Sequence, residues 1–308
     1  LDEFLVAEGA EIEIFVFGTT CILYPLAVLI FVRPARPAAH ILRGWREHFF
    51  TLERVSLALP ALIVLPLLLS FYTSMKMLIP VFDPYTWDLP LAALDRWLHG
   101  GSDPWRLLQP LLGEPLVTHA INVVYNLWFF IVYGVTLWQV FQTRDLRLRN
   151  QYLLSFVLAW ALLGTLMASL LASGGPVYYQ HFAGGEDPFA PLMAYLYQVD
   201  ESYPIWALQA QEMLWQAHNE RGVTLGGGIS AMPSLHVATA LLCALVAWRH
   251  SRALGWAMAL FVLLILLGSV HLGWHYAVDG YASLLLTPLL WWGSGWLVRR
   301  WSAGRGAA

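Results

Sequence analysis

Residues 254–298, LGWAMALFVLLILLGSVHLGWHYAVDGYASLLLTPLLWWGSGWLV, carry one acidic side chain, Asp279, and no basic one. As a single helix these roughly 45 residues would reach about 67 Å at 1.5 Å per residue, too long for one crossing of a ~30 Å hydrocarbon core. The stretch therefore reads as two spans, with the break near Gly273 or Gly280. That break puts His275 at a tight turn and Asp279 just beyond it.

Working outward, the whole 308-residue chain has the same character: 58% of it is hydrophobic and only 12% charged. A soluble domain carries about twice that share of charge. Further apolar runs lie at roughly 13–32, 55–75, 116–141, 151–173, 232–248 and 254–274, and the run at 276–298 makes a seventh. Acidic residues, not a basic n-region, precede the first run, so it reads as a span and not a signal peptide. Cys21 and Cys243 both sit inside apolar runs and read as small core residues. The expected fold is all-α: a polytopic bundle of six to seven transmembrane helices, forming one integral membrane domain over 1–308 with its catalytic core at about 150–298.

Charge sets the expected orientation. Arg33, Arg36, Arg43, Arg46 and Arg54 lie in one connector, and Arg144, Arg147 and Arg149 in another. Arg249 and Arg252 fill a third, and Arg299, Arg300 and Arg305 the tail. The positive-inside rule places all four on the cytoplasmic side. The remaining connectors are acidic and face outward. Seven spans, with the N-terminus outside and the C-terminus inside a cell membrane, satisfy every assignment. Two outer connectors, 76–115 and 174–231, are long and aromatic. Each contains an amphipathic pattern ("DPYTWDLPLAALDRWLHGGSDPW", "YPIWALQAQEMLWQAHNERG") that reads as a short interfacial helix.

The chemistry concentrates at one outer edge. "MPSLH" places His236 at the start of the fifth span, behind Pro233 and Ser234, where free N–H groups favour an anion. His275 and Asp279 share a helical face at i, i+4. A carboxylate so placed accepts the imidazole Nδ1–H and leaves the Nε2 lone pair free, giving an oriented base or nucleophile. Ionisable groups beside apolar spans are costly and default to functional candidates. A nucleophile facing an anion-binding helix start with its own proton donor suits phosphoryl transfer.

"MPSLH" followed by "HYAVD" resembles the second and third signature motifs of the type 2 phosphatidic acid phosphatase superfamily, P-S-G-H and S-R-x5-H-x3-D. The P-S-L-H and H-Y-x-x-D forms look most like its inositol phosphorylceramide synthase (aureobasidin-resistance-like) branch, and "SGGPVYY" and "EDPFAPL" are similar to bacterial members of that branch. The motif resemblance covers about Gly228 to Gly280. It implies that His275 attacks phosphorus and becomes a phosphohistidine, that Asp279 orients it, and that His236 protonates the departing alkoxide and then deprotonates the incoming water or alcohol. Ser234 would hydrogen-bond a phosphate oxygen, and neither metal nor cofactor is implied. His271, one turn before His275, and Tyr276 read as residues packed behind the site.

The chain also departs from the family pattern. Gly268-Ser269 stand where the superfamily has Ser-Arg, and no K-x6-R-P first motif is present. Lys76, the only lysine, precedes "FDPY" with no Arg-Pro. Replacement phosphate-binding candidates are Lys76, Arg96, Arg221 and Ser269. Fewer cations suit a phosphodiester better than a monoester dianion, which favours transfer of a phospho-headgroup to a lipid or polyprenyl alcohol over hydrolysis of a lipid phosphate monoester. The expected partners are a phospholipid or polyprenyl phosphate and the bilayer, not nucleic acid; donor, acceptor and oligomeric state stay open. A transporter or haem carrier is the rival from another class, but such proteins place ionisable groups near midspan, and these midspans are almost uncharged.

Overall fold

The computed structural model describes residues 34, 36–44, 51–220 and 228–305, and these form helices with no strand among them. The first expected span, 13–32, lies outside the described residues. A short helix α1 (Pro37–Gly44) precedes the long α2 (Leu52–Phe82). Two short helices, α3 (Asp88–Leu98) and α4 (Pro104–Leu112), lead into α5 (Pro115–Val140) and α6 (Leu146–Leu170). The second long connector holds α7 (Ala190–Asp200) and α8 (Trp206–Glu220). The chain ends with α9 (Leu235–His250), α10 (Arg252–His271) and α11 (Ala277–Arg305).

Four helices, α2, α5, α6 and α10, are long and apolar enough to cross a membrane, and α9 is a shorter apolar helix. On α2, Leu59, Ile63, Leu67 and Phe71 are each more than half exposed at a four-residue spacing. Such a continuous apolar stripe is costly in water and matched to lipid. The quoted 254–298 stretch is two helices. Gly273, at φ +73°, supplies the left-handed residue that turns the chain between them, while Gly280 continues inside α11.

Most spans begin on a cap from their own chain neighbour. Thr51 receives the Arg54 N–H at 3.3 Å, Glu114 that of Val117 at 3.0 Å, Asp145 that of Leu148 at 2.9 Å, and Ser251 that of Leu254 at 3.1 Å. These side-chain acceptors satisfy N–H groups that a helix leaves unpaired at its start. The exception is α11. It follows Tyr276, which has no acceptor that can fold back onto the first turn, and its cap comes from elsewhere. Helix α9 packs against α10, α11, α5 and α6, so it is enclosed by other helices.

Candidate active site

Three chain segments meet at the N-terminal end of α9. Ser234 caps that helix, with its hydroxyl accepting the Val237 N–H at 3.5 Å. The Ser234 N–H in turn donates to the Asp279 carbonyl at 3.2 Å, and the Ser283 hydroxyl bridges the Ser234 and Asp279 carbonyls at 2.8 and 3.0 Å. The two sequence motifs are thus stitched together through backbone before any catalytic side chain is considered.

His275 Nδ1 lies 3.2 Å from Asp279 Oδ2, and the same oxygen accepts the Tyr276 N–H at 3.0 Å. Asp279 is fully buried. With the Nδ1 proton directed at a buried carboxylate, Nε2 is left as the ring's lone-pair side. His236 faces it, with ring centroids 6.0 Å apart in an edge-to-face arrangement. Two rings of α5 hold His236: Tyr125 stacks on it at 4.9 Å, and Trp128 lies at 4.3 Å. The Trp128 indole N–H also donates to the His236 carbonyl at 3.1 Å and to Thr239 Oγ1 at 3.0 Å, so ring and backbone are fixed by one residue.

Both histidines line a cavity of about 220 Å³, together with Lys76, Tyr125, Trp160 and Trp274. Lys76 reaches it from α2, as the first residue of the sequence's expected outer connector, 76–115, but still helical. Gly228 makes this approach possible. At φ +82°, a Cβ there would fall 2.7 Å from the Lys76 carbonyl carbon, so a larger residue would push α2 away. Trp160 and Gly164 come from a π-helical segment of α6, Ala159–Met167, a departure from α geometry that recurs at functional sites.

The other expected site residues are placed differently. The Ser269 hydroxyl donates to the Leu266 carbonyl at 2.8 Å, while its own carbonyl accepts the N–H groups of Trp274 and His275 at 3.0 and 3.1 Å. It is not among the residues lining the cavity; it shapes the turn that carries His275. Arg96 also stays away from the cavity, with Nε and Nη2 both on Asp103 Oδ1 at 3.0 and 2.9 Å. Ser234 is buried in its cap. His271 is buried with Nε2 at 2.9 Å from Thr118 Oγ1, held behind the turn. Tyr276 donates its hydroxyl to Asp88 at 2.7 Å. Arg221 lies outside the described residues. Among the described residues, Lys76 is then the lysine or arginine that the cavity has.

Two residues that the sequence reading left among the outward-facing acids prove to be internal. Asp88 and Asp95, on one face of α3, are 0% and 3% exposed. Asp88 accepts the N–H groups of Gly174 and Gly175 at 2.8 and 2.9 Å in addition to the Tyr276 hydroxyl. Asp95 accepts those of Ala277 and Val278 at 2.9 and 3.0 Å, and so provides the missing cap of α11. Burial pushes both carboxyls up to about 6, against the downward pull of these donors. Their seven-residue spacing puts them two turns apart on one helical face, but nothing local marks that face as the buried one.

A family model described as the PAP2 superfamily matches residues 89–293. No curated protein and no solved structure matches the chain.

Proposed function

Because the chain belongs to the PAP2 superfamily, whose members act as phosphatases and phosphotransferases on lipid phosphates, we propose that it is a membrane lipid phosphotransferase working through a phosphohistidine at His275. The observation that carries this reading is the shared cavity: an oriented His275, an opposed His236 and Lys76 line one space. His275 Nε2 attacks phosphorus while the bond from phosphorus to the leaving oxygen breaks, and His236 gives that oxygen its proton. An incoming alcohol then loses its proton to His236 and attacks the phosphohistidine; the P–N bond breaks and both histidines return to their starting states. Asp279 stabilises the positive charge that the imidazole gains in the first step. Each step runs through the protein's own groups.

Lys76 stands in for the absent motif arginines on the phosphate oxygens. One ammonium balances the roughly single charge of a phosphodiester, and this favours a phospho-headgroup donor, as in the inositol phosphorylceramide synthase branch. The cavity wall supports a lipid: Phe129 and Met213 line it and are 49% and 46% exposed, offering apolar surface to an acyl or polyprenyl chain. The charge pattern supports a cell-membrane location with this end outward.

The test is incubation of the purified protein with labelled phospholipids and polyprenyl phosphates, with and without a lipid alcohol, beside His275→Ala. The expected result is a labelled product that requires the alcohol and is lost in the variant. Free phosphate released from a lipid monoester without acceptor would establish the monoesterase reading instead, and undiminished turnover by His275→Ala would defeat the phosphohistidine route.

A further inference from the structure

The turn that carries the proposed nucleophile is held in part from far along the chain. Trp274, His275 and Tyr276 sit between two helices, and α11 begins without a local cap. Every side-chain oxygen that receives a backbone N–H of residues 276–278 is a carboxylate: Asp279 for Tyr276, and Asp95 for Ala277 and Val278. Asp88 adds the Tyr276 hydroxyl, and His99, one turn beyond Asp95, holds the Tyr281 hydroxyl at 2.9 Å through Nε2. Helix α3 thus grips the first turns of α11 at three levels. Its opposite face is apolar and open, with Leu94 and Trp97 43% and 74% exposed. This inverts the usual sorting, since the acids point inward and the hydrophobic residues outward.

We propose that Asp88 and Asp95 are positioning residues for the reaction at His275: from either end of the turn they hold Tyr276 and the start of α11 so that the Asp279 carboxylate stays on His275 Nδ1. The carboxylate–imidazole contact is 3.2 Å, at the long end for a charge-assisted bond, so a small shift of the turn would break it. Only two atoms on each acid are available, and the named donors occupy both. Asp88 also carries the restraint further: its two backbone donors, Gly174 and Gly175, belong to the loop whose Gly174 lines the cavity. One carboxylate therefore sets the cavity wall and the nucleophile turn relative to each other. The Gly-Gly pair, which could otherwise offer its N–H groups to a phosphate, is already committed to Asp88.

This proposal rests on His275 being the nucleophile, but the contact it describes can be read without turnover. The full chain, in lipid nanodiscs with ring-labelled histidine, should show a downfield Nδ1 proton from His275, identified by its loss in His275→Ala and its displacement in Asp279→Asn. Tyr276→Phe, Asp88→Ala and Asp95→Asn should each move that signal in the direction of Asp279→Asn. Where a lipid is turned over, they should lower kcat by about 10- to 100-fold with KM within about twofold. The Asp88→Ala/Tyr276→Phe double variant should change no more than Asp88→Ala alone, because both act through one bond. An unmoved proton signal in Tyr276→Phe, which keeps the ring and its packing and so survives even if Asp88→Ala fails to fold, would overturn the proposal, as would additive effects in the double variant. If the signal moves but His275→Ala still turns lipid over, the positioning role stands and the phosphohistidine reading falls.

Discussion

The two ends of the bundle solve one electrostatic problem with opposite signs. At the site end, buried carboxylates meet helix N-termini: Asp95 receives the first N–H groups of α11 and Asp88 those of the Gly174-Gly175 loop. At the other end a buried guanidinium meets carbonyls. Arg149, 7% exposed, donates to the Val140 carbonyl that closes α5 at 3.1 Å and to the Leu57 carbonyl of α2 at 2.6 Å, tying α6 to both. At Val140 the guanidinium faces the negative, C-terminal end of α5, as the Asp95 carboxylate faces the positive, N-terminal end of α11. The ends differ in what else is nearby. Around Arg149 the partners are carbonyls and Asn150, a closed set. Around Asp88 and Asp95 the chain of bonds runs on to His275 and an open cavity. The same kind of buried charge therefore meets only structural partners at one end and the proposed nucleophile at the other.

The sharpest test of that contrast is Asp279→Asn. An amide in place of the carboxylate no longer fixes the Nδ1–H tautomer, and turnover should fall on the order of 10³-fold or more, while the thermal unfolding midpoint moves little. Comparable loss from a variant at the opposite end would erase the distinction. Arg149→Met supplies that arm. It keeps apolar bulk but removes a donor from the buried Val140 carbonyl and another from the part-buried Leu57 carbonyl, which should cost about 1–3 kcal/mol of stability in denaturant unfolding. The kcat of the protein that remains folded should stay unchanged.

Acidity separates the ends further. Asp88 and Asp95 titrate near 6, above their ordinary 3.8. A raised carboxyl favours the folded state fully below about 4 and withdraws that contribution as pH rises through about 6. Between these values the unfolding midpoint of the wild type should fall relative to that of Asp88→Asn, which cannot titrate at this position. Parallel profiles would show that the backbone donors outweigh burial after all. No such slope arises from the guanidinium end.

The same contrast explains what could be read in the sequence. Apolar length marked out the long helices among the described residues, because crossing a membrane imposes a long uniform pattern that local detail hardly disturbs. His236, His275 and Asp279 were legible because an ionisable group beside a greasy run needs a reason. Asp88 and Asp95 were not. In a connector that also holds Asp83 and Asp103, an acid that caps a helix 182 residues away has the same local signature as one facing solvent. Arg96 shows the reverse: a cation on the expected face, already committed to Asp103. Ser269, aligned with a missing arginine, is too short and too buried to reach the cavity, and it serves the turn with its carbonyl instead. Sequence distance also concealed Trp128 and Tyr125, whose packing on His236 depends on how α5 meets α9.

The smallest effect expected at the site end belongs to Trp128→Phe, and its size discriminates between two roles for that residue. The substitution keeps an aromatic face beside His236 but deletes the indole N–H that holds both the His236 carbonyl and Thr239 Oγ1. Thr239 already donates to the Leu235 carbonyl at 2.7 Å, so its hydroxyl keeps a partner, and the loss is about 1 kcal/mol of stability. If the indole only packs, kcat follows the wild type. If it fixes the depth of the α9 start, His236 gains freedom relative to His275, and kcat falls by about 3- to 10-fold at unchanged KM, the range expected when a proton donor is loosened but not removed. The corresponding change at the far end, Trp248→Phe, touches an aromatic pair with Trp256 at 5.0 Å and no site residue. A kcat change there equal to that of Trp128→Phe would mean that both ends share one global rigidity, and that the site end's buried charges are not specific to the chemistry.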